Sequence, residues 1–279
     1  MASIDGPRLA PQSGVTKQLV VFLHGLGADG NDLIELGEQW RSWLPDAAFV
    51  APHAPDPCSN VPMGREWFPL TLTDPREFWR GVTYAGPGLD AFLDQELARH
   101  DLTPSKLALV GFSQGAMMAL HLGLRRPTPP AAVVGYSGLL VLEDGEGPEG
   151  LMPLARNAPP ILLIHGDRDD VVPAEMFFFS KEALGAAEIP CQWHLSGGLG
   201  HGIDGEGLRQ GGLFLAQSFG LPYQSLGASR RQGRMGARAQ HGHVAADGHH
   251  VEALGRQLRR PRTRNRIDGR DLAGSLYPG

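Results

Sequence analysis

The sequence has no run of 18 or more apolar residues, which excludes a membrane-spanning helix. Cysteine is scarce. Cys58 and Cys191 stand alone, too few for a disulfide framework and at no metal-ligand spacing. Two reduced thiols in a cytoplasmic protein are expected. The opening Met-Ala-Ser-Ile-Asp-Gly-Pro-Arg lacks the basic start and apolar stretch of a secretory signal, so none is read there. Lysine is missing from residues 222–279, which carry 11 Arg and 4 acidic residues. Residues 1–221 carry 14 Lys and Arg against 26 Asp and Glu. The net charge of −5 therefore hides an acidic body and a basic tail, which are read separately. No internal repeat is visible.

With 279 residues, of which 42% are hydrophobic, the chain is long enough to bury a sizeable core. The first 17 residues, rich in Pro, Gly and Ser, read as a loose lead-in. Continuous apolar runs predict buried strands over 18–23, 49–51, 106–110, 131–136 and 161–164, with a short strand over 191–195. Helical spacing predicts helices over 33–44, 89–99, 114–124, 175–184 and 203–219. Residues 52–82 read as loop, with several prolines and the aromatics Trp67, Phe68, Phe78 and Trp79. Strands that are apolar throughout and alternate with helices mean a mostly parallel sheet with helices on both faces. Functional loops in such sheets lie at the carboxyl ends of the strands.

Gly111-Phe112-Ser113-Gln114-Gly115 fits G-x-S-x-G, with the apolar strand Leu107–Val110 before it and the helical run Ala116–Leu120 after it. In that context the pattern is a nucleophile elbow, where a tight strand-to-helix turn lifts the serine clear of the sheet. A serine hydroxyl needs a base, and the base an orienting carboxylate, in the chain order serine, acid, histidine. His165-Gly166-Asp167-Arg168-Asp169-Asp170 offers three acids after a strand, and the glycine-rich run 197–202 presents His201. Two N–H groups must also meet the developing oxyanion. Gln114, next to the nucleophile, is placed to give one. The glycine-rich loop His24-Gly25-Leu26-Gly27 is placed to give the other. A phosphate-binding loop would require G-x-x-x-x-G-K-[ST], but residues 25–32 hold no Lys, Ser or Thr, so nucleotide binding is excluded there.

Four ordered landmarks, HGLGADGND at 24–32, GFSQGAMMAL at 111–120, HGDRDDVVP at 165–173 and GLGHGI at 198–203, resemble the carboxylesterase/acyl-protein thioesterase (phospholipase/carboxylesterase) family of α/β-hydrolases. The resemblance covers roughly residues 15–221. It implies the α/β-hydrolase fold. Its loop pattern H-G-x-x-D-x-x-V-P selects Asp169, and it implies His201 as base and the Leu26 and Gln114 N–H groups as the oxyanion hole. It also implies that Trp67 and Phe68 border the acyl groove, against the plainer reading that they are core aromatics. The tail at 222–279 departs from the family, and its composition suggests a disordered extension.

The reading is one α/β-hydrolase domain over 18–221 followed by the tail. It is a serine hydrolase that cleaves carboxylic esters or thioesters through Ser113, Asp169 and His201 and an acyl-enzyme, with no metal or organic cofactor. Small esters, acylated proteins and lysophospholipids all stand as substrates. The rival is a non-catalytic binding protein on the same scaffold. No nucleic-acid partner is expected for the domain, and the oligomeric state stays open, a homodimer included.

Overall fold

A computed structural model describes residues 4–59, 61–71, 74 and 76–221; the basic tail at 222–279 lies outside them. The elements in chain order are strands and helices as follows. β1 (Arg8–Leu9), β2 (Gln18–Leu23), α1 (Gly30–Trp40) and β3 (Ala47–Val50) come first. A small hairpin of β4 (Asp56–Pro57) and β5 (Arg65–Glu66) precedes α2 (Glu77–Arg99), β6 (Leu107–Phe112), α3 (Gln114–Arg125) and β7 (Ala132–Tyr136). α4 (Met152–Ala155), β8 (Ile161–Gly166), α5 (Ala174–Ala186), β9 (Cys191–Ser196) and α6 (Gly205–Ser218) complete the series.

The sheet runs β1-β3-β2-β6-β7-β8-β9, parallel throughout except for β1. Apolar residues on both strand faces are the reason. In β2, Leu19, Val21 and Leu23 enter a core built with Leu89, Phe92, Met117 and Phe177. Val20 and Phe22 enter the opposite core with Leu33, Trp40, Phe214 and Leu215. Every β2 residue is buried, so neither face tolerates alternation with polar side chains.

The α/β-hydrolase fold expected from the sequence is present, with two differences that matter locally. Part of the expected lead-in is pinned down: β1 pairs antiparallel with β3, and the Arg8 guanidinium grips the buried Glu96 carboxylate at 2.8 and 3.1 Å. The helix expected only from Leu89 begins instead at Glu77. Gly81, Gly86, Pro87 and Gly88 lower its local propensity, Pro alone by ~3 kcal/mol. Packing outweighs that cost. Val82, Ala85, Leu89, Phe92 and Leu93 form one buried face, and Gly81 lies so close to Phe68 that a Cβ there would sit 2.1 Å from the ring. Gly81 permits this close approach rather than marking a loop.

Three histidines are buried in this core: His24, His121 and His165. Burial lowers each below its ordinary value of 6.5, to about 4 for His24 and about 3 for His121. A depressed imidazole stays neutral when folded but takes a proton when unfolded. Its stabilisation is therefore complete above the unfolded value and is lost as pH falls below it. Glu66, raised by burial, works in the opposite sense, but one carboxyl stands against three imidazoles. The urea midpoint should fall between ~pH 7.5 and ~pH 5. The fall should shrink in His121→Leu, whose Nδ1 has no hydrogen-bond partner among the described residues. Equal midpoints at the two pH values would contradict this account.

Candidate active site

The carboxyl ends of β2, β6, β8 and β9 converge on one rim of the sheet. Ser113 joins β6 to α3 with φ 53° and ψ −117°. That left-handed conformation strains a residue with a side chain, at a cost of ~1–3 kcal/mol. Flanking contacts leave no alternative. A Cβ on Gly111 would lie 2.2 Å from Gly115 O, and one on Gly115 would lie 1.9 Å from Leu23 O. Ser113 N–H donates to Tyr136 O at 2.9 Å, which fixes the turn against β7.

Asp169 lies in the turn after β8, its side chain wholly buried. Its Oδ1 accepts the Val171 and Val172 N–H groups, both at 2.9 Å. Its Oδ2 lies 2.8 Å from His201 Nδ1. A carboxylate accepts, so Nδ1 of the neutral ring carries the proton and Nε2 presents its lone pair. Nε2 has no hydrogen-bond partner among the described residues. The His201 ring lies 4.8 Å from the ring of Phe112, the neighbour of Ser113. The three acids after β8 have distinct surroundings. Asp167 Oδ1 accepts Gly198 N–H at 2.6 Å, while exposed Asp170 makes no side-chain hydrogen bond among the described residues.

Leu26 belongs to the loop after β2. A Cβ on Gly25 would lie 3.3 Å from Ser113 Cβ, so this loop touches the elbow. His24 Nε2 accepts Ala54 N–H at 3.0 Å, which leaves the ring proton on Nδ1, 2.8 Å from Gly25 O. The trans peptide plane then directs Leu26 N–H opposite to that held carbonyl. Neither Leu26 N–H nor Gln114 N–H donates to a backbone carbonyl among the described residues. Gln114 is the first residue of α3, where an N–H has no intrahelical partner.

The sequence model of the phospholipase/carboxylesterase family matches residues 5–218. The chain belongs to this family. Acyl-protein thioesterase 1 of Gibberella zeae is 27% identical over 221 residues, spanning 75% of this chain and 94% of that protein. The crystal structure of esterase PE8 is 46% identical with a TM-score of 0.72, covering 77% of this chain and 99% of that one. SOBER1 of Arabidopsis thaliana is 25% identical with a TM-score of 0.61, covering 72% and 98% respectively. As a phospholipase/carboxylesterase family member, the chain is a hydrolase of the carboxylesterase and acyl-protein thioesterase type.

Within this family member, Ser113, Asp169, His201, Leu26 and Gln114 lie on neighbouring loops at one rim. Trp67 and Phe68 lie against the same rim, but on its buried side. Both are fully buried, with Trp67 Nε1–H donating to His24 O at 2.9 Å. Phe68 forms part of the wall of a cavity of about 390 Å³, with Pro69, Arg80 and Tyr84, yet exposes no surface to solvent. Of the two readings the sequence leaves open, the core aromatic fits their burial. Sequence reasoning missed His165, whose Nε2 lies 2.7 Å from Val172 O and 3.3 Å from Asp169 Oδ2. Since a carbonyl only accepts, that nitrogen is the donor. The available signal was a repeated dipeptide: His24-Gly25 and His165-Gly166 each close an apolar strand.

Gly115→Ala should destabilise the protein by more than ~2 kcal/mol, because its methyl meets rigid backbone. Gly185→Ala in α5, with nothing within 4 Å of the added Cβ, should be neutral or stabilising. Thermal melting of both variants checks the pair, and similar shifts would remove the steric explanation of the elbow.

Proposed function

We propose that this chain hydrolyses carboxylic esters or thioesters through Ser113, His201 and Asp169. The observation that carries the reading is the 2.8 Å contact between His201 Nδ1 and the buried Asp169, beside a strained serine elbow. Ser113 Oγ attacks the carbonyl carbon as its proton passes to His201 Nε2. Asp169 stays ionised, holds the tautomer and stabilises the imidazolium. Leu26 and Gln114 N–H groups receive the oxyanion of the tetrahedral intermediate. Collapse expels the alcohol or thiol, which leaves with the proton from His201. Water then attacks the acyl-enzyme by the same route, releasing the acid and restoring Ser113. The reaction balances without a metal or organic cofactor.

Small esters and acylated proteins are the substrate classes. The names of the Gibberella zeae relative and of esterase PE8 support these classes. A cytoplasmic location accords with Cys58 and Cys191, which stand as free thiols. No helix among the described residues is long and apolar enough to cross a membrane.

A fluorophosphonate probe should label the wild type at one site and leave Ser113→Ala unlabelled and inactive, with its melting temperature little changed. Asp169→Asn should lower kcat by ~10⁴. Exposed Asp170→Asn should stay within about twofold of wild type. Ester hydrolysis surviving in pure Ser113→Ala above ~1% of wild type would overturn the assignment.

A further inference from the structure

The Gln114 side chain does something its backbone role does not require. It is 1% exposed and reaches back to the segment after β5. Its Oε1 accepts Trp67 N–H at 2.9 Å, and its Nε2 donates to Phe68 O at 2.8 Å. The carboxamide thus holds two successive residues of that bend, one through N–H and one through C=O. The same segment also grips the loop that carries Leu26. Gly27 N–H donates to Arg65 O and Arg65 N–H to Ala28 O, both at 2.9 Å. Trp67 Nε1–H closes the set on His24 O at 2.9 Å.

We propose that residues 65–68, clamped by the Gln114 carboxamide, form a brace that fixes the two oxyanion donors relative to each other, with Gln114 and Trp67 acting as positioning residues through their side chains. This inference rests on the reading of Ser113 as the nucleophile. The two donors belong to segments about 90 residues apart in sequence, so no local turn sets their separation. Oxyanion stabilisation depends on donors held in place before charge develops, and a small misplacement costs rate rather than binding. The brace supplies that hold with hydrogen bonds from both segments to one short stretch of chain, residues 65–68. Burial makes them costly to break, since a buried amide left unpaired loses ~1–3 kcal/mol. Trp67 has no accessible surface to offer an acyl chain. Its influence on the reaction runs through its two N–H bonds, one to each donor segment.

The test compares wild type with Gln114→Met, Gln114→Glu and Trp67→Phe. It reads kcat and KM on a short and a long acyl ester, melting temperature and fluorophosphonate labelling. Gln114→Met and Trp67→Phe should lower kcat at least ~10-fold, equally for both acyl lengths, with KM within about twofold and labelling slower but complete. Gln114→Glu keeps the acceptor for Trp67 N–H and loses the donor to Phe68 O unless its carboxyl is protonated. Its kcat relative to wild type should therefore rise as pH is lowered from about 8.5 to about 5.5, because burial raises a carboxyl's pKa. A purely structural role would not produce that pH-dependent ratio. If Gln114→Met fails to fold, the other two variants decide. Folded variants within about twofold of wild-type kcat, a loss confined to KM or to one acyl length, or a flat ratio for Gln114→Glu would each overturn the brace. Failure of wild type to label would instead strike the Ser113 reading itself.

Discussion

The site depends on a single close contact, the seating of Gly115 on the carbonyl end of β2. No side chain fits between Gly115 and Leu23 O, so the start of α3 lies directly against the strand that launches the Leu26 loop. That approach sets the elbow and the loop side by side before any hydrogen bond is counted. It also explains why Ser113 tolerates a left-handed backbone: the sheet on one side and the helix on the other leave no relaxed alternative. Close packing turns this local rigidity into a fixed rim, since a dense core transmits strain rather than absorbing it.

The acid and the base are held by a second device, a clasp between the turn after β8 and the loop after β9. Asp167 takes Gly198 N–H at 2.6 Å, and Arg168 N–H donates to Leu199 O at 2.9 Å. Ser137 donates to Gly202 O at 3.2 Å from the end of β7. Asp169 itself is satisfied by two backbone N–H groups before it meets His201. With Oδ1 held by two backbone N–H groups, Oδ2 is left to orient the imidazole. His165, kept uncharged by burial, donates to Val172 O and lies 3.3 Å from Asp169 Oδ2.

These devices are unequal in how they appear in a sequence. The elbow is legible because its demands are steric and local: Gly111 and Gly115 flank Ser113 within five residues, between a strand and a helix. The buried strands are legible because both faces must be apolar. Among Asp167, Asp169 and Asp170, composition offers no choice, and only the family loop pattern singles out Asp169. The structure separates them by contact: one clasps a loop, one faces His201, and one points to solvent. Trp67 is the reverse case. An aromatic pair in a proline-bearing stretch reads equally as groove or core, and the indole is buried against His24 O.

The sequence by itself determined the order of the main strands and helices, the parallel sheet, the serine at its turn and the acidic character of residues 1–221. Each follows from local sterics, hydrophobic periodicity or charge count, which act over a few residues or over the whole chain. Tertiary structure alone decided where α2 begins, how β1 is pinned by Arg8 and Glu96, and which carbonyls orient Leu26 and Gln114. Those choices rest on close approaches and hydrogen bonds between residues tens of positions apart. Only the completed sheet brings such residues within reach, so no pattern along the chain encodes them individually.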